Sequence, residues 1–134
     1  MPDSTSIPTD THIAESTAIT SGTLIAAAHV TGTTVYSPAG ENLGSIDDVM
    51  IDKISGRAIY AVMAFGGFLG MGERFHPLPW AALKYDAEKG GYVVDLDKSR
   101  LESAPSFARG SEFAWTRDYG REVDRYYDVP SSWL

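Results

Sequence analysis

Residues 24–101 place their apolar side chains in short runs separated by turn residues, a pattern typical of a strand-rich domain. Residues 33–37 are β-branched and aromatic and predict a strand, which ends at the Pro and Gly of residues 38–42. Further along the chain, we predict a helical turn at 80–83, a hairpin formed by 83–86 and 91–97, and a short helix over 98–103.

The longest predicted strand, residues 43–53, has an interrupted alternation of apolar side chains. Ile46 lies three positions before Val49, whereas residues on one face of a regular strand are two or four positions apart. A β-bulge at residues 47–48 would restore the alternation and bring Ile46, Val49 and Ile51 to one face.

Residues 57–66 are apolar at both odd and even positions, which predicts a strand that is covered on both faces. Residues 74–79 also favour a strand, but their two prolines remove backbone donors, so we expect an edge or distorted strand there. Several short strands, too few for a sandwich, predict a mainly β fold: a small closed or half-closed antiparallel β-barrel.

The two ends of the chain differ from this middle part. Residues 1–23 hold ten Ser or Thr, two Pro and no Lys or Arg, and this composition predicts a disordered leader. Residues 104–134 are rich in aromatic side chains. We therefore divide the chain into a leader at 1–23, a barrel at 24–103 and a C-terminal arm at 104–134.

The arm contains an amphipathic segment that predicts a helix over residues 116–128, with Thr116 as its N-cap. Its apolar positions share one helical face: Tyr119, Val123, Tyr126 and Tyr127. Such a face needs an apolar surface to pack against. Two candidates stay open as this receptor for the arm: the second apolar face of strand 57–66, or a partner chain.

Composition and charge exclude several classes of function and partner. The 134 residues carry 11 Lys or Arg, 18 Asp or Glu and no Cys, and the formal net charge is −7. Because the leader holds three acidic and no basic residues, the rest of the chain carries −4. An acidic chain is poorly suited to neutralising phosphates, which argues against nucleic acid as a partner. The absence of Cys excludes thiolate chemistry and suits a reducing cytoplasm, and no apolar run is long enough for a membrane span.

The pattern does not assemble a catalytic or metal-binding set. The three histidines are far apart in the chain, and Asp47, Asp48 and Asp52 lack the D-x-D-x-D-G spacing of a calcium loop. No G-x-S-x-G elbow supports a serine nucleophile. We predict no enzyme activity, no metal and no cofactor.

Short motifs follow one another in order over about fifty residues: Gly32-x-x-Val35-Tyr36, Gly40-Glu41-x-Leu43-Gly44-x-Ile46-x-Asp48, Val49-Met50-Ile51-Asp52, Gly56-Arg57, the apolar run 59–65, Gly66-Gly67-Phe68-Leu69-Gly70-Met71-Gly72 and Phe75-His76-Pro77-Leu78-Pro79-Trp80. Their order and spacing resemble the PRC-barrel family, named for the H subunit of the photosynthetic reaction centre and also found in a ribosome maturation factor. The acidic, Tyr-rich end of the chain looks like the tail of small stand-alone bacterial members.

The resemblance implies a docking module, because members of the family attach to the reaction-centre core or to a ribosomal protein and share no catalytic residues. This chain lacks the membrane helix of the H subunit, and residues 1–31 are too short for the second barrel of the maturation factor. We therefore expect a lone cytoplasmic PRC-type barrel that binds an unknown protein and self-associates as a homodimer or higher oligomer.

The glycine-rich loop 66–72 is the first candidate for such a contact. Its order, G-G-x-x-G-x-G, differs from the dinucleotide-binding fingerprint. Three interpretations stay open: a chain crossing that needs positive φ, a contact site formed by Phe68, Leu69 and Met71, and a small-ligand or anion site made of backbone N–H groups.

Aromatic side chains of the arm are the second candidate. Stacking on nucleic-acid bases is disfavoured, because residues 112–128 contain five acidic residues and only three Arg. Core or interface packing is therefore predicted, with Tyr126, Tyr127 and Trp133 as candidate partner-binding residues.

Overall fold

A computed structural model describes residues 22–65, 73–108 and 114–131, so the predicted leader lies almost wholly outside the described residues. The strands in the described part are β1 Thr34–Tyr36, β2 Asn42–Ile51, β3 Ala58–Phe65, β4 Arg74–Pro79, β5 Leu83–Asp86, β6 Gly91–Val94 and β7 Phe107–Ala108. The helices there are α1 Ala27–Val30, α2 Lys98–Glu102 and α3 Arg117–Tyr126, with a 3-10 turn at Trp80–Ala82. The predicted first strand, the 83–97 hairpin, the helical turn and both helices are confirmed, with shorter bounds.

The strands form one sheet in the order β5-β6-β1-β2-β3-β4-β7. The fold is mainly β and mostly antiparallel, but β1 and β6 pair in parallel, with Val35 opposite Tyr92. The prediction of a fully antiparallel sheet is therefore wrong at this pair. Turn residues specify how neighbours along the chain pair, whereas β1 meets β6 across the whole domain. The described strands form an open sheet, and closure into a barrel is not seen among them.

Strand β2 contains the predicted bulge. Its register with β3 shifts between Ile46 and Asp48, and both Ile46 and Val49 contribute to the core. A second shift between Met50 and Ile51 was not predicted. Because a slip of one residue exchanges the two faces of a strand, Ile51 is 54% exposed, and its predicted inward placement is wrong.

Strand β3 is covered on both faces, as predicted. One face contributes to the main core, where Ala61 and Met63 are fully buried with Val35 of β1 and Leu78 of β4. Ile59 and Tyr60 belong to a second, smaller cluster that contains Val123 of α3.

Strand β4 holds the two prolines that predicted an edge or distorted strand. It lies between β3 and β7, but β7 pairs only with Arg74 and Phe75. Pro77 and Pro79 therefore lie beyond the part of β4 that β7 pairs, where a missing backbone donor is tolerated.

Gly44 in β2 allows a close approach of β3. A Cβ at this position would overlap the carbonyl oxygen of Ala64 and lie 3.2 Å from the Met63 side chain. Because backbone cannot move aside as a flexible side chain can, we expect Gly44→Ala to lower the free energy of unfolding by about 2 kcal/mol in urea titrations. Gly22→Ala is the control, since a Cβ there meets nothing within 4 Å. Equal stability of the two variants would contradict the close approach.

Candidate interaction site

Helix α3 begins where the sequence predicts. The Thr116 hydroxyl accepts a hydrogen bond from the backbone N–H of Tyr119 at 3.1 Å, which satisfies one of the free donors of the first turn. Gly120, Val123 and Asp124 are the buried residues of the helix. The helix therefore turns one narrow stripe toward the rest of the domain.

The buried stripe of α3 packs against Tyr60 of β3. Its hydroxyl lies 3.0 Å from Asp124 Oδ1 and 3.2 Å from the carbonyl oxygen of Gly120, and its proton is shared between these acceptors. Its ring centroid lies 5.3 Å from that of Trp115, just before the helix. Of the two receptors considered for the arm, the second face of β3 in the same chain is the one that α3 covers.

Tyr126 and Tyr127, two of the candidate partner-binding residues, also make contacts within the chain. The Tyr126 hydroxyl donates to the carbonyl oxygen of Arg100 at 2.5 Å, and its ring lies 5.8 Å from the Arg100 guanidinium. Tyr127 packs against both core clusters, and burial raises the pKa of its hydroxyl well above the ordinary value. Contact of Tyr126 and Tyr127 with a partner stays a prediction. Only the exposed part of their side chains could make that contact.

Aromatic side chains join the start of α3 to the last strand. The ring centroid of Trp115 lies 6.0 Å from that of Tyr119 and 6.5 Å from that of Phe107 in β7. Phe107 stacks on Phe75 of β4, with 5.6 Å between the ring centroids. Burial, followed by the charge of Glu122, raises the pKa of Tyr119 to about 12. These residues pack inside the domain, as the composition of the arm predicted.

An apolar surface remains at the end of the β2–β3 hairpin. Ile54 in the connecting turn is 92% exposed, and it follows the exposed Ile51. Beside Ile51 lies a cavity of about 90 Å³, lined by Met50, Ile51, Asp52, Ile59, Tyr60 and Trp115. We call Ile51, Ile54 and the apolar lining of this cavity the hairpin patch. The patch was not predicted from the sequence, although an Ile inside a tight Lys-Ile-Ser-Gly turn is a usable signal.

The sequence profile of the PRC-barrel domain family matches residues 22–101, more than half of the chain. The chain belongs to the PRC-barrel family. A structure similar to this PRC-barrel chain is a putative 16S ribosomal RNA processing protein, RimM, from Pseudomonas aeruginosa, with 22% sequence identity over 55% of this chain and a TM-score of 0.37. This chain spans 44% of that protein. A comparison with curated proteins found no match.

Loop residues Phe68, Leu69 and Met71 of the PRC-barrel domain, together with Trp133, lie outside the described residues. The loop joins β3 to β4, so its attachment points are Phe65 and Glu73. Both line a mainly polar groove of about 440 Å³, to which Asn42, Ser45 and Lys98 also contribute. The groove places one cation and one carboxylate at the base of the loop.

Asp48 of β2 and Asp52, just after the strand, accept hydrogen bonds from the backbone. Asp52 accepts hydrogen bonds from the backbone N–H groups of Ile54 and Ser55 at 3.4 and 3.3 Å, and hydrogen bonding, first from the Ser55 side chain, lowers the pKa of its carboxyl. Asp48 accepts from the N–H of Val49 at 2.8 Å. In the described ranges, no three His, Asp or Glu residues are grouped as a metal site requires.

None of the helices within the described ranges is long and apolar enough to cross a membrane.

Proposed function

We propose that this PRC-barrel chain is a non-catalytic docking and assembly module, which binds a protein partner in the cytoplasm and self-associates. The observation that carries the proposal is the hairpin patch. Ile51 and Ile54 are exposed apolar side chains three residues apart, and Ile51 also lines an apolar cavity. Exposed apolar surface of this kind marks contact sites.

The surroundings of the hairpin patch favour protein over nucleic acid. Asp52 lines the cavity, and the chain outside the leader carries a net charge of −4. A chain of this net charge gains little from a phosphate backbone, whereas a protein surface that covers the patch would contribute about 25 cal/mol per Å² of buried apolar area. The cytoplasm is proposed because a chain without Cys needs no oxidising compartment.

The glycine-rich loop is proposed as the second part of the contact surface. We expect Phe68→Ser combined with Leu69→Ser to leave the far-UV circular dichroism spectrum unchanged and to weaken self-association or partner binding at least several-fold. Light scattering over a concentration series measures self-association, and affinity purification followed by mass spectrometry measures partner binding. Ile54→Ser tests the hairpin patch in the same assays.

Leu24→Ser is the matched control, because Leu24 is another highly exposed apolar side chain in the described part of the chain. If the loop variant behaves like this control in both assays, the loop is not a contact site. A ligand-binding function would instead appear as a rise in Tm of several degrees with phosphate or a nucleotide in a thermal-shift screen, and that result would replace the docking proposal.

A further inference from the structure

Strand β5 forms one edge of the sheet and pairs with β6 alone among the described strands. Its sequence is Leu83-Lys84-Tyr85-Asp86. Lys84 is exposed and Tyr85 is 49% exposed. An open edge of this kind presents backbone groups that can pair with another strand.

The direction of those backbone groups follows from the β5–β6 turn. The Asp86 carbonyl oxygen accepts the N–H of Gly90 at 2.8 Å, so the hydrogen-bonding groups of Asp86 face β6. Donors and acceptors alternate along an antiparallel strand. The N–H and C=O of Tyr85 therefore point away from β6, toward the open edge.

Side chains on the two sides of β5 have different surroundings. Leu83 and Tyr85 lie opposite Val94 and Tyr92, and the Tyr85 and Tyr92 ring centroids are 5.3 Å apart. Lys84 therefore lies on the opposite face, with Asp86 two residues along. Asp86 Oδ1 accepts the N–H groups of Glu88 and Lys89, and Oδ2 takes no further hydrogen bond within the described residues.

We propose that two copies of this chain pair antiparallel through their β5 edges, with Tyr85 opposite Tyr85 of the second copy. This inference rests on the proposed self-association and names one surface for it, distinct from the hairpin patch. In this register the two Tyr85 backbones exchange N–H···O=C hydrogen bonds, and Lys84 of each copy lies opposite Asp86 of the other. The two sheets become one continuous sheet with two cross-strand ion pairs on the Lys84 face.

Charge order selects this register. Because hydrogen-bonding groups alternate, allowed registers differ by two residues. A shift in one direction places Lys84 opposite Lys84 of the second copy, and a shift in the other places Asp86 opposite Asp86. Like charges directly opposite are destabilising. The order Lys-Tyr-Asp is thus complementary to itself in one register, which favours a second copy over an arbitrary extended peptide.

Disulfide trapping tests the register in the full chain, which has no Cys of its own. Directly opposite residues of a hydrogen-bonded pair have Cα atoms about 5.5 Å apart, within disulfide range. Tyr85→Cys is therefore expected to give a covalent dimer under mild oxidation. Lys84→Cys is the matched control, because the diagonal separation of about 7–8 Å exceeds that range. Equal crosslinking of the two variants overturns the register.

Charge reversal provides a second measurement that does not depend on the Cys variants. Lys84→Glu converts both ion pairs into repulsions and is expected to raise the dimer dissociation constant at least about tenfold in sedimentation equilibrium. Arg117→Glu changes the net charge equally at an exposed position of α3, away from the hairpin patch, and is expected to leave that constant unchanged. A dimer that Lys84→Glu does not weaken overturns this surface and leaves self-association standing. A wild-type chain that is monomeric at millimolar concentration overturns self-association and, with it, this inference.

Discussion

Replacing Tyr60 with Phe is expected to lower the free energy of unfolding by about 3 kcal/mol, although it removes a single oxygen atom. The reason is Asp124, a carboxylate that is only 4% exposed and lies 3.0 Å from the Tyr60 hydroxyl. Its second oxygen, Oδ2, already has no hydrogen-bond partner within the described residues. The substitution would remove a hydrogen bond from this buried carboxylate. Detachment of α3 from β3 would then expose the carboxylate to water and lower that cost.

Urea unfolding monitored by Trp fluorescence measures this effect, since Trp115 lies against the Tyr60 ring. Adding Asp124→Leu to the Tyr60→Phe variant removes the buried charge together with its donor, and we expect it to restore most of the lost stability. Tyr36→Phe, which keeps the ring that Lys89 approaches, is the control and should change stability by less than about 0.5 kcal/mol. A double variant no more stable than Tyr60→Phe would contradict the proposed origin of the cost.

Features that depend on neighbouring residues could be predicted from the sequence. The bulge near Asp48 follows from one break in apolar alternation, and the start of α3 follows from the Thr116 side chain. The two-sided burial of β3 follows from apolar residues at every position. In each case the deciding interaction spans a few residues, so local periodicity carries the information.

Features that depend on distant residues could not be predicted. The second slip of β2, which exposes Ile51, arises in the ladder with β3 and leaves no break in the β2 pattern itself. The parallel β1–β6 pair depends on how the whole domain closes around the core. Whether α3 covers its own sheet or another chain depends on the match between Tyr60 and Asp124, which are 64 residues apart.

The candidate site shows the same division. Aromatic composition indicates that the arm packs somewhere, but it does not distinguish a core from an interface, because both use large apolar side chains. Tyr127 contacts both core clusters of its own chain. The hairpin patch was missed because exposure, unlike apolar character, is set by the register of the strands on either side.

Acidification from pH 7 to pH 5 is expected to reduce the free energy of unfolding by about 2 kcal/mol through His76. His76 lies in β4 and is 2% exposed, and within the described residues its Nδ1 has no hydrogen-bond partner. The His76 and Phe65 ring centroids lie 5.6 Å apart, with the two rings nearly perpendicular. Burial, followed by the charge of Arg74, lowers the pKa of His76 from 6.5 to about 4.

The unfolded chain therefore binds a proton at higher pH than the folded chain does. The stabilisation is complete above pH 6.5, declines as the pH falls below it, and is lost by about pH 4, a total of about 3 kcal/mol.

His76→Leu, a buried substitution without a titrating group, is expected to remove this dependence of stability on pH between pH 7 and pH 5, whatever its own stability. His29→Leu controls for the loss of an imidazole elsewhere and should retain it. A His76→Leu variant with the same pH slope as the wild type would assign the acid sensitivity to other groups. The carboxyls of Asp52 and Asp97 do not compete for this role, because their pKa values are lowered from 3.8 and their stabilisation is lost only at more acidic pH.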